Sequence, residues 1–231
     1  LSLEIVVTAQ RQENQNFVLP VITTVLDKDY LQERSPRTLP EALFGVPGVF
    51  LQKTNHGGGS PFLRGLTGQQ TLLLVDGIRL NNATFRSGPN QYLNTLEPTW
   101  LSRIEVVPGS GATAYGSDAI GGVVNVIDQT IPTRAIDGMR FEGLAAFSSV
   151  DDGSQGAANV GFGAGPFALR LSAAARDTDP YETPIGEALN QWTSVRTYGA
   201  GGSLLGDWGF AGLAIKSTQD EYGLLPEDPL E

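Results

Sequence analysis

The 231-residue chain changes rhythm once, just beyond the stretch "AYGSDAIGGVVNVID" (residues 114–128). That change constrains the fold more than any other feature. Ahead of it, capping residues and Gly/Pro turns punctuate the sequence like a compact mixed domain. Behind it, from residue 139, come Gly/Ala-rich segments of about ten residues with weak two-residue alternation and almost no helical pattern. The block itself spends glycine where a strand gains least, since glycine forfeits backbone entropy and offers nothing to pack. A chain does this where its backbone must pass close to something else.

Composition narrows the field. Charged residues make up only 17% of the chain, against about 25% in a typical soluble domain. There are 29 glycines, nearly double the usual share of about 7%. The net charge of −10 leaves no basic face for a nucleic-acid partner. Without cysteine there is neither a disulfide framework nor a thiolate metal site. A single histidine, in a glycine-flanked loop, supports no Ser/His/Asp triad, so no catalytic residues and no resident cofactor or metal are assigned. No apolar run reaches the length of a membrane helix, which leaves a membrane β-barrel open because its per-strand signal is weak. No basic-then-apolar leader opens the chain, and its N-terminus reads as mature or trimmed.

Residues 1–16 join an apolar core, "LEIVVTA", to a polar run, "RQENQN": a strand with no adjacent hairpin partner, then a tether. From residue 17 the pattern is α+β. "VLPVITTVL" (18–26) alternates as a strand, and Asp27 caps a helix over "KDYLQER" (28–34). Thr38 and Glu41 form a capping box with Pro40 in the first turn; Gly45 stops that helix and Val46-Pro47-Gly48 turns the chain. "VFLQ" (49–52) follows, then the exposed loop "KTNHGGGS" (53–60). "PFLRGLTGQQTLLLVDGIRL" (61–80) reads as strand, turn, strand, with Asp76-Gly77 as a hairpin signal. The polar stretch 81–92 is too long for a turn. "RIEVVPGSGATAYG" (103–116) is a strand, a glycine turn and about one helical turn, and "GGVVNVI" closes the unit near residue 128.

Beyond it, five strand-length segments follow: 139–149, 155–165, 166–176, 195–205 and 207–217. Short turns separate four of them and a polar loop, 177–194, interrupts. One strand face carries Phe141 and Phe147, or Phe167, Leu169 and Leu171; the other carries Arg140, Glu142, Arg170 and Ser172. Short turns alternating with long loops suit a transmembrane barrel with a polar lumen. The pattern also suits a soluble antiparallel sandwich.

The motifs "EIVVTA", "LPEALFGVPGV", "FLRG", "LLLVDGIRLN" and "RIEVVPGSGATAYGSDAIGGVVNVI", in this order, resemble the TonB-dependent outer-membrane receptors across essentially the whole chain. The resemblance implies a fold: an α+β plug domain (a mixed sheet with short helices) followed by antiparallel strands of a transmembrane β-barrel. Residues 1–16 would be TonB box and linker, 17–130 the plug, 131–138 a second linker and 139–231 the first barrel strands. A plugged transporter barrel has about 22 strands, and an open edge is not tolerated in lipid; the sequence therefore reads as a piece of a longer receptor. The glycine block is then the plug's last turn and strand, folded tightly against itself or the barrel wall.

The function implied is import of a scarce nutrient across the bacterial outer membrane, a ferric siderophore first, with haem, cobalamin, zinc or a carbohydrate as alternatives. Glu4, Ile5, Val6, Val7, Thr8 and Ala9 would add as a strand to the periplasmic domain of TonB. Lys53, Asn55, His56, Phe85, Arg86, Asn90, Gln91 and Tyr92 would sit on plug apices facing a small-molecule ligand, cations and amides for an oxygen-rich chelate and aromatics for flat organic surfaces. In such receptors the Arg of "RG", here Arg64, and a second Arg after "EVV" pair with barrel acids. Here Pro108-Gly109-Ser110 stands at the second place, so Arg103 is the candidate substitute. Partners implied are TonB, outer-membrane lipid and the ligand. The rival from another class is a soluble secreted β-rich binding or adhesion module.

Overall fold

The computed structural model describes residues 5–6, 14–15, 23–53, 57–81, 88–89, 92–109, 115–184 and 186–224. By its contacts the chain divides between Asp128 and Gln129 into a first unit, residues 1–54 and 58–128, and a second, residues 55–57 and 129–231.

The first unit opens with β1 (Ile5–Val6) and β2 (Asn14–Gln15), paired antiparallel. There follow β3 (Thr24–Asp27), α1 (Lys28–Arg34), α2 (Leu39–Ala42), β4 (Val49–Lys53), β5 (Gly59–Leu63), β6 (Thr71–Val75), β7 (Ile78–Arg79), β8 (Leu101–Pro108) and β9 (Gly122–Asp128). Local chemistry sets the helices. Asp27 Oδ1 accepts from the Tyr30 amide at 2.8 Å and opens α1. Thr38 caps α2 through the Glu41 amide at 3.4 Å, but the Glu41 carboxylate reaches back to the Arg37 amide, one residue before the expected capping-box partner.

The main sheet runs β3-β8-β9-β6-β7; only β6 and β9 pair parallel, so the sheet is mixed. Both faces are covered. Leu31, Leu39 and Leu43 pack with Leu73, Ile104, Val106, Val124 and Val126 on one; Leu72, Leu74, Val107, Ala119 and Val123 form a second cluster on the other. That accounts for the near-continuous apolar runs of β6 and β9. Two turns hold the end of the sheet. Asp76 and Gly77 both have positive φ (49° and 79°), as a type I′ hairpin requires, and Asp76 Oδ1 accepts from the Asp128 amide at 3.0 Å. Buried Asn81 accepts from the Leu73 amide at 2.7 Å and donates to the carbonyls of Thr71 and Gly68. The glycine block is explained by close approach: a Cβ on Gly122 would stand 2.5 Å from the Val107 carbonyl oxygen, and one on Gly121 would stand 2.8 Å from Leu66 Cβ.

The second unit is an antiparallel meander of five strands, β10 (Gly138–Ser148), β11 (Gly153–Ala164), β12 (Phe167–Thr178), β15 (Thr193–Gly206) and β16 (Gly209–Tyr222); a small hairpin, β13 (Glu182–Thr183) with β14 (Gly186–Glu187), sits in the long connection. The expected segments therefore all form strands, the last four of them longer than the pattern implied. Register sorts the side chains. Phe141, Val160, Leu171, Ala200 and Ile215 lie in one cross-strand row, and Phe162, Leu169, Gly202 and Leu213 in the next. This face is apolar yet open: Leu213 is 83% exposed, Ile215 75% and Phe141 68%. Toward the polar end it passes Tyr198 and reaches the Arg196–Asp177 ion pair at 2.8 Å. The opposite face carries Arg140, Glu142, Asn159, Arg170, Arg176, Thr197 and Lys216, and residues 129–137 lie along it, hydrogen-bonded from Arg170 and Ser203.

An apolar face this open belongs in lipid, where a mid-strand cation costs roughly 2–4 kcal/mol. Leu171→Arg in the full-length protein folded into phospholipid vesicles is expected to lose that much by urea titration; a change within about 0.5 kcal/mol, usual for a surface site in water, restores the sandwich reading. Asn81→Ala leaves buried backbone groups unpaired, at about 1–3 kcal/mol each. It is expected to lower the urea concentration at which a thiol probe reaches a cysteine placed at Val124, while sparing the strands of the second unit.

Candidate functional site

At the head of the chain, Ile5 faces Gln15 and Val6 faces Asn14 in a short antiparallel pairing. The expected isolated strand thus has a partner in its own tether, while Glu4, Val7, Thr8 and Ala9 lie outside the described residues.

Of the apical candidates, Asn55, His56, Phe85, Arg86, Asn90 and Gln91 also lie outside the described residues. Lys53 ends β4 with its ammonium 3.7 Å from the Glu41 carboxylate, which joins it to the start of α2. Tyr92 begins a 3-10 turn, Tyr92–Thr95, and packs half-buried against the first hydrophobic cluster. Its neighbour Asn94 buries both ends of its amide without a hydrogen-bond partner, as Trp100 buries its indole N–H. Among the described residues, no group of three or more His, Cys, Asp or Glu is placed to hold a metal ion.

The two arginines have different surroundings. Arg64 and Gly65 take positive φ (51° and 83°), and Leu63 and Leu66 exchange backbone hydrogen bonds around them at 2.8 and 3.0 Å. Arginine in a left-handed turn is unfavourable, and such strain marks places where a side chain's position matters. The exposed Arg64 guanidinium lies over Gly109 (φ 113°), where a Cβ would stand 2.9 Å from its Nη1. Arg103 instead donates from Nε to Glu105 Oε1 at 2.6 Å. Glu105 is fully buried on the second face of the sheet, opposite Asn125, whose Oδ1 accepts from the Gly77 amide at 3.1 Å. Sequence reasoning missed Glu105 and Asn81. The signal was there: a lone acid inside the apolar run "RIEVV", and an Asn just after a hairpin strand.

On the open face of the second unit, a groove of about 620 Å³ runs between Phe162, Phe167, Leu169, Leu204 and Leu213. It offers no convergent polar groups of the kind that fix a specific ligand. Among the described residues no helix is long and apolar enough to cross a membrane.

Comparison with known proteins agrees with this geometry. Residues 16–123 match the family model described as the TonB-dependent receptor plug domain. The vitamin B12 transporter BtuB of Vibrio cholerae is 34% identical over 170 residues, covering 69% of this chain and 27% of that protein. The iron-regulated outer membrane virulence protein of Vibrio cholerae is 35% identical over 200 residues, covering 78% of this chain and 29% of that protein. In fold, the pyoverdine outer membrane receptor FpvA from Pseudomonas aeruginosa PAO1 superposes with a TM-score of 0.73 at 14% identity, over 95% of this chain and 31% of that one. The chain spans less than a third of the length of each. With a matching plug, relatives named as transporters or outer-membrane proteins, and a meander of barrel type, the chain belongs to the TonB-dependent receptors of the bacterial outer membrane.

Proposed function

We propose that the full receptor imports a scarce nutrient under TonB control, and that the nutrient is a ferric siderophore. The plug match over residues 16–123, behind a leading strand and polar tether, carries this reading. A relative that is 35% identical and covers 78% of this chain is named as iron-regulated. The 34% identity to vitamin B12 transporters favours cobalamin as the second reading.

In this mechanism Glu4–Ala9 add as a strand to TonB, main-chain hydrogen bonds giving the affinity. Lys53, Asn55, His56, Phe85, Arg86, Asn90, Gln91 and Tyr92 form the ligand-facing end of the plug, the cations drawing an anionic chelate and the aromatics stacking on it. Arg64 reaches a carboxylate of the barrel wall, and no carboxylate pairs with it among the described residues. Arg103 serves inside the plug by holding Glu105. No covalent chemistry is required: energy enters as force on the leading strand.

Deletion of Glu4–Ala9 is expected to abolish uptake while cell-surface binding of the cargo persists; unchanged uptake removes TonB coupling. For the cargo, a receptor-deleted strain complemented with the full-length gene is grown on a panel of ferric siderophores and cobalamin. Rescue on a siderophore supports the first reading, and rescue on cobalamin alone supports the second.

A further inference from the structure

Residues 129–137, "QTIPTRAID", lie in a bed that their own sheet provides. At the start of the segment, Arg170 Nη1 donates to the Gln129 backbone oxygen at 2.7 Å and to its side-chain Oε1 at 2.9 Å. Further on, Ser203 Oγ donates to the Pro132 carbonyl at 2.6 Å. Along the strap the wall is stripped of side chains. A Cβ on Gly201 would overlap the Thr130 carbonyl and one on Gly163 the Ile136 carbonyl; one on Gly212 would stand 2.5 Å from Ile131 Cγ2. Register places Gly163, Arg170, Gly201, Ser203 and Gly212 on the same polar face.

On the other side of the same peptide junction, the Asp128 amide is held at 3.0 Å by Asp76 Oδ1, within the first unit. Adjacent residues are thus fastened to different bodies. We infer that 129–137 is a retention strap: the first unit opens up to Asp128 while the strap keeps its seat on the second. Physical reasons favour the break at this point. The Arg170 guanidinium holds the strap by charge-assisted hydrogen bonds, as the Asp76 carboxylate holds Asp128, and in addition the strap's carbonyls meet the wall backbone at glycine distance. The first unit, with its own clusters, is a separate cooperative body of the kind that opens alone.

The full-length receptor, in a cysteine-free background and detergent micelles, receives a single cysteine at Val124 in β9 or at Pro132 in the strap; both positions are buried. Each is pulsed with a maleimide along a urea series while circular dichroism follows the barrel. Val124→Cys is expected to label at urea concentrations where the barrel persists, and Pro132→Cys only when the barrel opens. Adding Arg170→Ala should speed labelling at Pro132→Cys at least tenfold in the lower range. Should a labelling variant fail to fold, the pair Ile131→Cys with Gly212→Cys gives the second measurement: its Cβ atoms come within disulfide range, and the bond should still close on oxidation after the first unit has opened. Labelling of Pro132→Cys in step with Val124→Cys, joint opening of plug and barrel, indifference to Arg170→Ala, or loss of that closure overturns the inference.

Discussion

Close approach of one backbone to another governs this chain. In the first unit, β9 lies on β8 and the 63–66 turn at distances where Gly121 and Gly122 leave no room for a Cβ. In the second, the strap lies on Gly163 and Gly201 in the same way. The two glycine-rich regions that set the sequence rhythm are therefore one device used twice. Each site gives up strand propensity and gains a tight junction between segments distant along the chain.

Much of the fold was legible because its determinants are local. Asp27 and Thr38 cap the helices that their positions announced, and Asp76-Gly77 makes the hairpin that such a pair encodes. The strands of the second unit follow from turn residues at regular spacing. What escaped is non-local. The parallel pairing of β6 with β9 joins segments about fifty residues apart, and no periodicity reports it. The loop composition around Lys53 likewise did not report that its ammonium lies beside Glu41 on another element. Glycine spaced by two at 161 and 163, and at 199 and 201, did carry the strap's footprint, since such spacing puts every glycine of a strand on one face. Read only as turn-forming composition, it gave no position.

The buried polar groups show why the plug is more than an apolar sandwich. Glu105 on β8 faces Asn125 on β9; Arg103, two residues along the same strand, binds the first, and the Gly77 amide of the hairpin turn binds the second. Asn81 ties β6 to the chain that leaves β7. These groups cost stability unless all are satisfied together, so the hairpin, the central strands and the edge form as a set. A body built this way resists partial fraying and favours opening in one step.

The departure at Pro108-Gly109 gains a physical reading from the same geometry. The guanidinium of Arg64 occupies the space that a side chain at 109 would fill, and φ at Gly109 is one that side chains rarely adopt. Arginine shifted to that position would displace Arg64 rather than join it. Arg103 points to a different partner, donating from Nε to the fully buried Glu105 of its own strand. Of the two arginines that the sequence nominated for the wall, the strained turn at 64 is the one that keeps its cation turned outward.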